Sequence, residues 1–282
     1  MNRHTIARET AISGICLHAG SVVTMRLSPA PAGQGVVFVR ADLGGARIPA
    51  RYDLVGETRL GTVLEQDGKR VGVVEHLMAA VAGAAIDDLT VTLDGPEPPI
   101  LDGDALSYLT LIQDAGIKDQ STPRQIIEVL KPVSVTQKDA TASLTPAAAT
   151  EYEFEIEFPA PAIGRQTFNL EFSPETFASV IAPARTFGFL KELDGLRAMN
   201  LARGASLENT LALDDSGVVN AGLMRFPDEF VRHKILDAIG DMALAGAPLK
   251  ARFHGVRSGH ATNNALLRAL FADPSAFRLT LS

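Results

Sequence analysis

The chain has a single cysteine, no long apolar run and no surplus of basic charge, and each shortage removes a class of explanation. With Cys16 alone, no intrachain disulfide can form, and a reducing compartment is the easier setting. The longest nearly apolar run, LMAAVAGAAI at residues 77–86, is about half the ~20 residues that a helix needs to cross a bilayer. The opening MNRHTIARETAISG has no apolar core of the signal-peptide kind. A cytoplasmic protein without stable membrane insertion is the expectation. The net charge of −7, from 26 basic and 33 acidic residues, disfavours nucleic acid as a partner, because such proteins usually carry a basic stripe. An anionic small molecule stays open, since local charge can differ from the total. No segment is of low complexity. An apolar content of 46% over 282 residues is that of a globular protein with one large domain or two of ordinary size.

What is present is strand-rich. SVVTMRL (21–27), GVVFVR (35–40) and TRLGTVL (58–64) read as short strands with Gly and Pro punctuation. Residues 75–84 switch to a helical pattern, and DDLTVTLDG returns to strand. A Pro- and Gly-rich loop follows at 95–105, then an amphipathic helix over 107–117 that Gly116 ends. The polar, proline-containing stretch 118–125 is the best candidate linker. Beyond it come IIEVLKPVSV and EYEFEIEF (151–158), whose strict alternation marks a half-solvated strand. Ser173 reads as an N-cap with Pro174 in the first turn of a helix. A long helix is predicted over 227–245, then a strand KARFHGVR, then a helix from His260 to Phe271. The two halves share a rhythm of strands and helices but no sequence repeat.

Two short stretches carry chemistry. VVEHLMAA holds Glu75 and His76. FVRHKILDAIGD places His233, Asp237 and Asp241 at i, i+4 and i+8, on one stripe of a helix, with Lys234 beside them. Two imidazoles and one carboxylate are the ligand set of an open catalytic zinc site, and Glu75 is left over as a base. The plain reading of the helix is a solvated polar face opposite an apolar one carrying Val231, Ile235, Ile239 and Met242. The plain reading of Glu75 is an acid in a first helical turn. His260, after a glycine at a helix start, is either a loop histidine or a functional one. His4 and His254 lie in strands without partner spacing and read as structural or surface. His18 is ambiguous.

The combination goes further than any one spacing. GICLHAG (14–20), VEHLMAAVAG (74–83), GPEPPILDGDA (95–105), ARTFGF (184–189), DEFVRHKILDAIGD (228–241) and SGHATNN (258–264) occur in the order of one family. Over nearly its whole length the chain resembles the UDP-3-O-acyl-N-acetylglucosamine deacetylases, zinc enzymes of lipid A biosynthesis in Gram-negative bacteria. The resemblance implies an α+β fold of two similar domains, each a mainly antiparallel sheet with helices, the helices packed between the sheets. The boundaries would be 1–120, carrying Glu75 and His76, and 126–282, carrying His233, Asp237 and His260. It puts the metal ligands at His76, His233 and Asp237, the general base at Glu75 and the general acid at His260, oriented by Asp241. Thr186 and Lys234 would line the reacting centre. Phe158, Phe187 and Phe189 fall on substrate-contact positions, and Leu193, Leu201 and Leu207 on the acyl-binding segment; core packing is their ordinary reading.

The implied reaction is zinc-dependent hydrolysis of the N-acetyl group of a UDP-3-O-(hydroxyacyl)-N-acetylglucosamine, by a monomer acting on a small-molecule UDP-sugar lipid precursor. Fe²⁺ would also suit the ligands. Four positions depart from the family's pattern. Cys16 stands at a glycine, Gly61 where some relatives carry a cysteine near the metal, Asp104 in the usual DGSA, and Ala205 at a glycine of the acyl segment. No basic residue falls on the phosphate-contact position near 140, where Lys138 is the substitute. The acyl-segment and phosphate departures keep in view a zinc amidase for another N-acyl sugar nucleotide. A catalytically silent regulatory homologue is a further alternative, against which stand Glu75, His260 and the three ligands.

Overall fold

The alternation in EYEFEIE is realised as the strand Glu151–Glu157, with Tyr152, Phe154 and Ile156 buried and the glutamates between them nearer the solvent. A computed structural model describes residues 1–282. That strand belongs to a five-stranded sheet ordered Val133–Gln137, Ala140–Thr145, Arg252–Val256, Glu151–Glu157, Arg165–Glu171. Neighbours are antiparallel except Arg252–Val256 with Glu151–Glu157, which run parallel with Glu151 opposite Arg252. The first half of the chain builds the same sheet from different residues: Thr10–Ile15, Val22–Pro29, Leu89–Leu93, Val36–Arg40, Ala46–Pro49. There too the late strand Leu89–Leu93 is inserted parallel to the third, and the other pairs are antiparallel. Both sheets therefore have the order first, second, fifth, third, fourth. A structural repeat exists where the sequence has none, because alternation specifies a strand without specifying which residues make it.

The helices extend the repeat. In the first half, α1 (Glu75–Gly83) precedes the inserted strand and α2 (Leu106–Ala115) follows it. In the second half, a short capped turn α3 (Pro174–Thr176) and a helix α4 (Leu190–Ala198) come first. Then α5 (Glu229–Ala243) precedes the inserted strand and α6 (His260–Ala272) follows it. The helices lie between the two sheets, and α1 packs on α5 in the middle. Gly240 permits that approach: a Cβ there would sit 2.0 Å from the carbonyl oxygen of Glu75. Both central helices are buried on nearly all sides, which is why α1 is apolar almost all round. No helix is long and apolar enough to cross a membrane.

Three expectations are corrected. Segment 58–64 is not a strand; only Leu64–Gln66 pairs, with Lys69–Val71. Leu60 adopts a left-handed φ of 60° and Gly61 a φ of 156°. The backbone there bonds to side chains instead of a neighbouring strand: the Leu60 carbonyl partners His18 and the Thr62 N–H donates to Glu75. The linker at 118–125 is not a loop, because Ile117–Pro123 pairs antiparallel with Asn2–Ile6. Its polar composition is that of an exposed edge strand. The polar stripe of α5 is not solvated, since His233, Asp237 and Asp241 are all buried.

Candidate metal centre

The α1–α5 contact brings the two chemical stretches together. His76 opens α1, while His233 and Asp237 lie one turn apart on α5, and all three side chains are buried. Their ligating atoms lie within 4.8 Å of one another, a possible metal-binding triad. Asp237 Oδ1 is 3.6 Å from His76 Nε2 and 3.4 Å from His233 Nε2. Two donors on one tetrahedral zinc ion, each about 2.0–2.2 Å from it, are about 3.4 Å apart, so the spacing fits a shared ion. The surroundings fit as well. The Ala184 carbonyl lies 3.0 Å from His233 Nδ1, which fixes that nitrogen as the donor and leaves Nε2 a lone pair to offer. His76 Nδ1 is buried without any partner, so hydrogen bonding within the protein does not explain this imidazole. Burial holds the His233 imidazole down to about 3, as a neutral ligand requires. Burial opposes the charge of Asp237, but Lys234 and the histidines outweigh it and hold the carboxyl well below its usual range. Lys234 Nζ donates to Asp237 Oδ2 at 2.6 Å, leaving Oδ1 for the ion.

Glu75 and His260 flank the triad. The Glu75 carboxylate is buried, and its Oε2 accepts the Thr62 N–H at 2.9 Å. Its pKa is raised by burial, against the pull of His260 and His76. His260 Nε2 lies 3.7 Å from Glu75 Oε1, and its Nδ1 lies 2.9 Å from Asp241 Oδ2. Burial works against the imidazolium, but the charges of Asp241 and Glu75 and the bond to Asp241 raise its pKa to about 9. The chain thus holds two titratable groups side by side with raised pKa values, one a carboxyl and one an imidazole.

A cavity of about 570 Å³ opens from these groups. Glu75, His76, His233, Lys234, Asp237 and His260 form its polar end, together with Thr186. Thr186 is placed by the loop at 95–105, since its N–H donates to the Gly103 carbonyl at 2.9 Å. Gly103 has a φ of 80°, and a Cβ there would meet the Asn209 carbonyl at 1.9 Å. The rest of the cavity is largely apolar and includes Phe158, Phe187, Phe189, Leu193 and Leu207. Leu201 is not part of the wall; it follows the end of α4, with its N–H bonded back to the Leu196 carbonyl. Lys138 stands exposed at a hairpin tip, also outside the cavity.

Two residues lacked an assignment in the sequence. His18 ties three loops together: its Nδ1 accepts from the Ala202 N–H at 3.2 Å, its Nε2 then donates to the Leu60 carbonyl at 2.8 Å, and its own N–H donates to Glu97. With both ring nitrogens bonded within the protein it is no metal ligand. Thr62 carried no periodic or motif signal. His4 and His254 are strand residues, as expected.

An α+β pair of sheets enclosing a buried His–His–Asp triad, with a spare carboxylate and a spare histidine beside it, defines the class of metal-dependent hydrolytic centres. The profile of the LpxC family, UDP-3-O-acyl N-acetylglycosamine deacetylase, matches residues 3–272. The chain belongs to this family. It is 48% identical over 279 residues to the UDP-3-O-acyl-N-acetylglucosamine deacetylase of Myxococcus xanthus (strain DK1622), covering 99% of this chain and 89% of that protein. The protein of the same name from Phenylobacterium zucineum (strain HLK1) is 45% identical over 282 residues, covering 99% and 96%. That from Oleidesulfovibrio alaskensis is 47% identical over 271 residues, covering 96% and 89%.

Proposed function

We propose that this chain hydrolyses the N-acetyl group of a UDP-3-O-(hydroxyacyl)-N-acetylglucosamine, yielding acetate and the free amine in lipid A biosynthesis. The observation that carries the reading is the buried triad, spaced for one ion, lining a cavity whose other residues are largely apolar. His76, His233 and Asp237 hold zinc, and the same donors accept Fe²⁺. The bound ion supplies Lewis-acid charge at the acetamide carbonyl and makes water more acidic.

The remaining work falls to side chains. Glu75, ionised and desolvated, takes a proton from water as its oxygen adds to the acetamide carbon. The Thr186 hydroxyl donates to the developing oxyanion, and the Lys234 ammonium adds positive charge nearby. The C–N bond then breaks. An amine leaves readily only when protonated, and His260 delivers that proton from Nε2 while Asp241 holds Nδ1–H and fixes the tautomer. Phe158, Phe187, Phe189, Leu193 and Leu207 hold the sugar nucleotide and its acyl chain through apolar contact. The proposed enzyme acts as a monomer on a UDP-sugar lipid precursor in the cytoplasm.

Acetate release from the acylated substrate tests the reading, with and without chelator. Turnover that requires restored zinc is expected. Undiminished turnover by metal-free protein would overturn it, as would none by the zinc-loaded form. A zinc amidase for a different N-acyl sugar nucleotide is a second reading, motivated by Ala205 in the cavity wall. Turnover of UDP-N-acetylglucosamine equal to that of its acylated form would favour this alternative.

A pH dependence follows from the raised imidazole. His260 must carry its proton to act, so its contribution is full below its pKa and falls as pH rises through it. With that pKa at about 9, the alkaline limb of kcat/KM is expected near pH 9, well above an ordinary histidine's 6.5. A limb near pH 6.5 would show that His260 is not the acid.

A further inference from the structure

Thr62 is 1% exposed, and both of its hydrogen-bond donors go to ionisable side chains at the site, while its carbonyl accepts the Val74 N–H. Its N–H donates to Glu75 Oε2 at 2.9 Å. Its hydroxyl donates to Asp241 Oδ1 at 2.6 Å. The other oxygen of Asp241 accepts from His260 Nδ1 and from Asn263 Nδ2, each at 2.9 Å. Asn263 is fixed in turn by the Ser258 hydroxyl at 2.6 Å. Asp241 therefore has donors on both oxygens, and the only one from the first half of the chain is Thr62.

We propose that Thr62 is a positioning residue: it clamps the carboxylates of Glu75 and Asp241 across the junction of the two halves and so aims the His260 imidazole. The inference rests on the assignment of Glu75 as base and His260 as acid.

The geometry separates the two ends of the clamp. The backbone N–H occupies Glu75 Oε2 and leaves Oε1 facing His260 Nε2 at 3.7 Å. The hydroxyl occupies Asp241 Oδ1 and leaves Oδ2 for the imidazole. Left-handed Leu60 and Gly61, just before Thr62, turn the loop in from the first half to reach both carboxylates. Thr62 does not line the cavity, so it acts through its two partners and not on the substrate.

The charges that act on His260 are those of Asp241 and Asp237 from α5 and of Glu75 from α1, and Lys234 and His76 in turn act on Glu75. The Thr62 hydroxyl is neutral, but it draws electron density from the carboxylate that His260 leans on. Without that donor, Asp241 holds the imidazolium proton more tightly. His260 then becomes a weaker acid and a less well aimed one.

Thr62→Val keeps the shape and the N–H but removes the hydroxyl, whereas Thr62→Ser keeps both donors. In the zinc-loaded enzyme, Thr62→Val is expected to lower kcat on the order of tenfold, with KM changed by less than about twofold. Its alkaline limb should move to higher pH, and Thr62→Ser should restore both kcat and the limb. Titration of the His260 ring by NMR reads the same shift without turnover, so it tests the clamp even if the wild type released no acetate. That second failure would sink the assigned reaction and not the clamp. Equal losses in the Val and Ser variants, or an unmoved His260 titration in Thr62→Val, would overturn the proposal. Should Thr62→Val not fold, Thr62→Ala repeats the comparison with a smaller side chain. If neither folds, Thr62 is a structural residue and the proposal fails.

Discussion

Glu75→Ala is expected to keep its full complement of zinc and lose turnover by roughly 10²–10⁴-fold, the range for removing a general base. The metal survives because Glu75 is outside the triad: its Oε2 is taken by the Thr62 N–H, and its nearest titratable neighbour across the cavity is His260. The fold survives because burial disfavours the ionised carboxylate, so the native state gains little from its charge. Alanine does leave a small gap and a buried Thr62 N–H without its acceptor, at about 1–3 kcal/mol. Glu75→Gln is the control for that loss. Its amide oxygen accepts the same N–H and fills the same space, yet cannot take up a proton at neutral pH. Equal loss of turnover in both variants, with one zinc per chain in each, isolates proton transfer as the missing function. Near-normal turnover in either would mean that another group removes the proton. If His260 removed it, the alkaline limb would invert.

How much of this was readable beforehand depends on the kind of signal. The alternation of residues 151–157 specifies a strand by itself, and the strand is there. The helix holding His233, Asp237 and Asp241 was equally legible, but its burial was not. A polar stripe reads as solvated unless its cover is known, and the cover here is α1, more than 140 residues earlier in the chain. Resemblance supplied that pairing; periodicity could not. The same limit hid Gly240, whose requirement is a backbone contact with Glu75.

The segments that depart from their local preference share a physical cause. TRLGTVL has the composition of a strand, but its backbone serves the site, bonding His18 and Glu75 through Leu60 and Thr62. KDQSTPRQ has the composition of a linker, but an edge strand with exposed faces tolerates polar residues. Tertiary partners override local preference in both cases. Leu201 lies off the cavity wall for a related reason that the sequence does not show: a leucine just past a helix end has no periodic phase to say which way it faces. The repeated sheet order is not legible in the sequence because topology lies in the pairing of strands, and pairing leaves no mark in composition.

His76→Ala is expected to abolish zinc binding and activity together while changing the zinc-free protein far less. The reason lies in what His76 does without metal. Its Nδ1 has no partner, and its Nε2 faces Asp237 at 3.6 Å, beyond a good hydrogen bond. Removing the ring therefore breaks no strong contact within the protein. Its loss is a packing gap beside α5, in the ordinary range of about 1–3 kcal/mol for a point change. The metal-loaded comparison differs. A ligand that binds only the folded state stabilises by about 2.7 kcal/mol at a free concentration one hundred times its Kd. For a chain of this size that raises the melting temperature by roughly 5 °C. The wild type should show that rise on adding zinc, and His76→Ala should not. Two donors, His233 and Asp237, remain in the variant, and two are too few for a closed site at micromolar metal. A variant that still binds one equivalent of zinc with wild-type affinity and the same thermal shift would remove His76 from the ligand set. The first half of the chain would then contribute no ligand to the metal.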